Sequence, residues 1–160
     1  MAELFAKKRG FTLVEMLVTL TILAIMAAVT IPLAKTAVKR EKEISLRRNL
    51  RMMREALDSY KKVADENRIE VEKETEGYPP DLETLVKGIE VRSNKGGEDA
   101  NRIIKFLRRI PIDPMTNSYE WGLRSFQDDL DSDIWGGENV YDVYTKSPGI
   151  ALDGSKYRDW

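Results

Sequence analysis

An apolar run from Phe11 to Leu33, set in an otherwise polar sequence, limits this chain more than any other feature. A helix needs about 20 such residues to cross a hydrocarbon core, so the run is long enough to span a membrane. Lys7, Lys8 and Arg9 precede it, and Lys35, Lys39 and Arg40 follow. A removable secretory signal places a small-residue cut after a shorter apolar core. Here the run passes through Ala27-Ala28-Val29 without stopping, which predicts a segment that is kept. The leading basic cluster predicts a cytoplasmic N-terminus. One charge, Glu15, interrupts the run. A carboxylate in a membrane segment costs about 3 kcal/mol on an insertion scale, so Glu15 needs headgroup water, a neutral proton state or a cationic partner.

Composition removes most enzyme chemistry. The 160 residues contain no Cys and no His. Disulfides, thiolate or imidazole metal sites, a Cys nucleophile and a Ser-His-Asp triad are therefore excluded. Lys146-Ser147 and Ser155-Lys156 are sequence neighbours, whose side chains diverge in extended chain. Gly96-Gly97 and Gly136-Gly137 lack the surroundings of a phosphate cradle. No enzyme is expected. A net charge of -1 also argues against nucleic-acid binding. That average hides an asymmetry. From Lys35 to Arg54 eight basic residues face two acids, a net of +6, and from Pro111 to Trp160 four face ten, a net of -6. Copies of such a chain could pack basic stem against acidic head.

Past Leu33 the helical pattern continues. Leu46, Leu50, Met53, Leu57, Tyr60 and Ala64 step by three or four, as the buried stripe of an amphipathic helix does. Arg47, Arg48, Arg51, Lys61 and Lys62 then face outward. No Gly occurs from Phe11 to Arg68 and Pro32 is the single Pro, so one helix is expected from about Thr12 to about Asn67, kinked or loosened at Pro32. Gly77-Tyr78-Pro79-Pro80 ends the charged tail of this helix, Asp81 caps a second helix from Leu82, and Gly88 stops it. Ser93 to Asp99 reads as a polar loop. Ile103, Ile104 and Leu107 predict a short third helix over Ala100 to Arg109, ended by Ile110-Pro111. Asp113-Pro114-Met115-Thr116-Asn117 reads as a turn. Alternation at Tyr119, Trp121 and Leu123, and again over Val140 to Thr145, predicts antiparallel strands around an acidic loop, Gln127 to Asn139. Ile150-Ala151-Leu152 reads as a last extended piece. The aromatic residues of the last third are expected in the core. Asp129-x-Asp131-x-Asp133 opens like an EF-hand, but Ile134 stands where Gly is required and Val140 where Glu is.

The string KKRG-FTLVEMLVTLTILAIMAAVTIP resembles the class III leader and N-terminal helix of type IV pilins and pseudopilins: basic leader, Gly10, Phe11 as new N-terminus, Glu15 as fifth mature residue, then the apolar helix. The stretches YPPDLETL, RRIPIDPMTNSYEW and YDVYTKSPGIALDGSKYRDW are similar to the major pseudopilin of type II secretion, and the lack of Cys favours pseudopilins over disulfide-closed pilins. The resemblance implies an α+β, type IV pilin-like fold, in which a long N-terminal helix, transmembrane in its first half, packs on a small head with short helices and an antiparallel sheet. It divides the chain into leader (1–10), membrane and filament-core helix (11–34), amphipathic helix (35–70) and head (71–160).

It further implies that a prepilin peptidase cuts between Gly10 and Phe11 and methylates Phe11. The Phe11 ammonium of one subunit would then neutralise Glu15 of a neighbour in the filament core. Arg47, Arg48, Arg51 and Arg54 would meet acids of adjacent heads, with Glu41 and Glu43 available for reciprocal pairing. A Ca²⁺ ion is implied at Asp153, Ser155 and Asp159, with Asp142 as an outer candidate, although the loop ahead of them is shorter than the family's. The implied partners are copies of the chain, the prepilin peptidase, an inner-membrane assembly platform, minor pseudopilins and, before assembly, membrane lipid. The implied location is the inner membrane, N-terminus cytoplasmic and head periplasmic, then a periplasmic or extracellular filament. Three functions stay open: a type II secretion pseudopilus subunit, a surface type IV pilin, and a membrane-anchored binding module that never polymerises.

Overall fold

The computed structural model describes residues 10–70, 75–92, 101–129, 132 and 134–160. The basic leader residues Lys7, Lys8 and Arg9, the loop Ser93–Asp99, and Asp131 and Asp133 lie outside these. Helix α1 runs Leu13–Asp65, and the chain divides into two compact units, Met1–Lys39 and Arg40–Trp160.

In the first unit every described residue from Gly10 to Val38 is exposed. The helix is apolar on all sides, the pattern of a segment that belongs in lipid or in a helical bundle. Its hydroxyls are satisfied internally: Thr19 donates to the Met16 carbonyl at 2.9 Å, Thr21 to Leu17 at 2.8 Å and Thr30 to Met26 at 2.8 Å. Turned inward in this way, they cost little to place in an apolar medium. The helix continues through Pro32, and Thr36 donates to its carbonyl at 3.1 Å.

In the second unit the expected stripe is the core. Leu46, Leu50, Met53, Leu57, Tyr60 and Ala64 are all buried, most of them against Leu82, Leu85, Leu107, Trp121, Val140, Val143 and Tyr157. Helix α2 spans Leu82–Lys87. Asp81 caps it, accepting from the Thr84 amide at 2.7 Å, and Gly88 ends it at φ 85°. A Cβ at Gly88 would lie 2.7 Å from the Ile104 carbonyl oxygen, so only glycine permits this crossing.

In place of the expected helix over Ala100 to Arg109, the described residues form a short strand followed by irregular chain. β1 (Ile89–Arg92) pairs antiparallel with β2 (Asn101–Ile104), matching Ile89 to Ile104 and Val91 to Arg102. β-Branched Ile103 and Ile104 suit a strand once a partner edge is present. Beyond Ile104 the Phe106 and Leu107 amides donate to the Leu85 carbonyl at 3.0 and 2.9 Å, which carries Leu107 into the core and leaves Ile103 60% exposed. A second two-stranded antiparallel sheet joins β3 (Gly122–Arg124) to β4 (Asp142–Tyr144). Gly122 is required there, since a Cβ would fall 2.3 Å from the Tyr144 ring. Tyr119 precedes β3 and is exposed, unlike the core position expected for it, and Phe126 and Tyr141 are exposed too. Trp121, Tyr144 and Tyr157 are buried as expected. A closing 3₁₀ turn covers Tyr157–Asp159, behind an isolated bridge between Ile150 and Lys156. A long N-terminal helix with a small head of short helix and antiparallel pairs is a pilin-like α+β architecture.

Candidate functional site

The N-terminal junction starts at Gly10, exposed and outside the helix. Thr12 caps α1. Its hydroxyl accepts from the Glu15 amide at 3.2 Å, and its carbonyl accepts from Met16 at 3.1 Å. Glu15 therefore occupies the third helical position of a Thr-x-x-Glu capping arrangement, in the first turn, where the helix dipole favours a carboxylate. The capping role of Thr12 was legible as that spacing but went unread beside the membrane signal. Scission between Gly10 and Phe11 would free an amine next to the cap, at the same end as Glu15.

The stem arginines divide into two pairs. Arg48 and Arg51 are exposed and make no ion pair among the described residues. Arg47 and Arg54 are engaged within their own chain. Arg54 Nε donates to Asp142 Oδ1 at 2.6 Å, and its Nη2 reaches Asp142 Oδ2 and the Val143 carbonyl, both at 3.2 Å, and the Trp160 main-chain oxygen at 2.7 Å. Arg47 Nη2 donates to Asp153 Oδ2 at 3.1 Å, and its guanidinium lies 4.0 Å from the centre of the Trp160 ring. Glu43 Oε1 accepts from the Leu152 amide at 2.9 Å and the Tyr157 hydroxyl at 2.8 Å. Three side chains of one helix thus clasp the tail. The sequence carried no sign of the Glu43 contacts.

The Ca²⁺ donor set does not fit a metal as folded. Asp153 Oδ1 already accepts from the Ser155 amide at 2.9 Å and its hydroxyl at 2.6 Å, and Oδ2 takes Arg47. Ser155 Oγ also accepts from Trp160 Nε1 at 2.7 Å. These donors, Ser155 first and Arg47 behind it, hold the Asp153 carboxyl below its ordinary range. Asp159 is exposed in the 3₁₀ turn, and among the described residues no three acidic side chains gather where a cation could sit. The Arg47 guanidinium takes one of the Asp153 oxygens that the resemblance assigns to the ion. A chelator should therefore leave the melting midpoint of the detergent-solubilised chain unchanged. Arg47→Gln should lower it, because the Asp153 pair and the contact with the Trp160 ring are both lost. A chelator-induced drop would return the ion to the tail.

Tyr157 is buried, and burial first, then its hydrogen bond to Glu43, push its phenol up to about 12 from 10.0. The unfolded chain ionises near 10, so the stabilisation is whole below that pH and is lost as pH rises towards 12. Alkaline melts should show a loss of stability in this window that Tyr157→Phe reduces; burial also raises the phenols of Tyr60 and Tyr78 and leaves the remainder.

A family model described as the prokaryotic N-terminal methylation motif matches residues 5–31. No curated protein matches the chain, and no solved structure does. The match covers Gly10, Phe11 and most of the apolar run, supports a type IV pilin-like protein, and implies prepilin peptidase processing and filament assembly in general. The apolar N-terminal helix fits membrane anchoring.

Proposed function

We propose that this chain is the major subunit of a type II secretion pseudopilus, a filament that supports export of proteins across the outer membrane. The observation that carries the proposal is a capped helix start, with Glu15 in its first turn, on an apolar segment exposed on every side. Such a surface must be covered. Lipid covers it before assembly, with the N-terminus cytoplasmic and the head periplasmic. The helices of neighbouring subunits cover it afterwards. Cutting between Gly10 and Phe11 leaves the anchor intact and supplies the ammonium that offsets Glu15 as subunits leave the membrane. An inner-membrane platform with its ATPase extracts the subunits, and minor pseudopilins cooperate in assembly. The role is structural, with no reaction assigned to the chain. The C-terminal strings and the lack of Cys favour the pseudopilus over a surface pilus.

Co-expression with a prepilin peptidase, an assembly platform with its ATPase and minor pseudopilins tests this reading. The mature chain should begin at Phe11, gain one methyl group by mass and appear in short sheared filaments. Long extracellular filaments would point to a surface pilin, and an uncut chain to a simple anchor. Arg48 and Arg51, outward and uncommitted, are the stem positions left to meet acids of adjacent heads. Reversing both to Glu should cut filament yield several-fold at low salt and less at high salt, because each exposed pair is worth under about 1 kcal/mol and is screened. Equal yields at both salts would remove this contact.

A further inference from the structure

The second unit carries two exposed patches of opposite charge, each with apolar side chains at its centre. The first is a groove of about 560 Å³ beside the stem. Met52, Ile112 and Tyr119 line it, 40%, 43% and 64% exposed, and Arg108 and Arg109 stand exposed at its rim. Its walls are held in place. Asn49 Nδ2 donates to the Ile112 carbonyl at 2.9 Å, Trp121 Nε1 to the Pro111 carbonyl at 2.9 Å, and the Asp113 amide to Ser118 at 2.8 Å. Buried Asp113 also accepts from the Met115 amide at 2.8 Å and from the Thr145 hydroxyl. A groove built in advance loses little freedom on binding.

The second patch lies on the acidic loop. Ile134 is 80% exposed and Trp135 is partly so, flanked by exposed Asp129 and Glu138. Its neck is also held. Buried Asn139 accepts at Oδ1 from the Phe126 amide at 3.0 Å, and its carbonyl takes Trp135 Nε1 at 2.8 Å. Asp128 Oδ2 accepts from the amides of Ser125 at 2.7 Å and Gly136 at 3.2 Å. A large apolar side chain beside acids matches an apolar groove beside arginines.

We propose that the groove receives the Ile134–Trp135 tip of a second copy of this chain, with Arg108 and Arg109 meeting Asp129 and Glu138; the proposal rests on the polymerising function above. On a helix of 3.6 residues per turn, Asn49 and Met52 fall on one flank of the Leu46–Leu50–Met53–Leu57 stripe, and Arg47 and Arg54 on the other. The acidic loop is tied to the tail that Arg47 and Arg54 hold, since Arg158 Nη2 donates to the Ser132 carbonyl at 3.4 Å. Groove and tip therefore belong to different flanks. A contact between unlike patches is heterologous, and repeated without closure it makes a helical filament. Charge complementarity also sets register and disfavours groove-to-groove pairing.

The Cys-free sequence allows a clean test in the full chain. Filaments carrying Arg109→Cys together with Asp129→Cys, treated with a short bis-maleimide, should give a ladder of multimers, whereas either single variant should stop at dimers. Arg108→Glu with Arg109→Glu should reduce filament yield at least tenfold, and adding Asp129→Lys with Glu138→Lys should restore most of it. All four positions are exposed, and melts of each variant check that the head stays folded. Normal filaments without a ladder, or a charge reversal that changes nothing, would overturn the groove contact alone. No filaments from the unaltered, processed chain would overturn the polymerising function and this contact with it.

Discussion

Glu15→Ala should leave the cut between Gly10 and Phe11 intact and reduce filament yield at least tenfold. Two roles converge on this carboxylate. As the third residue of a helix capped by Thr12, it stands where a capping-box carboxylate can reach back to the first-turn amides, an arrangement worth about 1 kcal/mol. In the proposed pairing with a neighbour's Phe11 ammonium, it would also prevent an uncompensated charge in the filament core, where breaking such a pair costs about 3–5 kcal/mol. Glu15→Gln separates the roles. Glutamine serves in a capping box but carries no charge, so the Gln variant should fail as badly as Ala if pairing dominates. Mass spectrometry of the membrane fraction reports the cut, and sheared filaments quantified against that pool report assembly. A Gln variant with full yield would end the pairing account and leave Glu15 a capping residue.

Arg54→Ala should have the largest effect on the head itself. Its guanidinium makes both bonds to Asp142 and reaches two main-chain oxygens, one of them on Trp160. Removal leaves Asp142 with Arg124 at 3.7 Å and frees the Trp160 main-chain oxygen, with Arg47 and Glu43 left to hold the tail. Hydrogen bonds to charged groups are worth about 1.5–3 kcal/mol each, and those sharing one group do not add fully. A loss of about 2–4 kcal/mol follows, or roughly 10 °C in the melting midpoint of a head this size. Arg54→Lys should recover little, because one ammonium cannot span Asp142 in a fork. A melt within a degree of the unaltered chain would show that Tyr157 and Trp160 hold the tail by burial. The membrane helix should be indifferent, so processing of the variant provides an internal control.

Whatever depends on near neighbours in the chain was open to reading from the sequence. The three-to-four spacing from Leu46 to Ala64 became the buried stripe because a helix repeats every 3.6 residues whatever packs on it. The caps at Asp81 and Gly88 and the turn at Asp113–Asn117, with Asn117 at φ 55°, obey equally local rules. The apolar run around Glu15 needed only its length, charge and flanks. Ile103, Ile104 and Leu107 mark the boundary of such reading. Their spacing suits a helix, yet β1 and the Leu85 carbonyl supply a strand partner and a turn acceptor that make them a strand and its exit. The tail lies beyond that boundary altogether. Glu43 meets Leu152 and Tyr157, and Arg47 meets Asp153, across 106 to 114 residues of chain. Sequence alone determined the apolar helix and the buried stripe, since each follows from local periodicity and composition. Only the tertiary structure decided which arginines are spent inside the chain and which remain outside, because that depends on where the fold returns the last twenty residues against the stem.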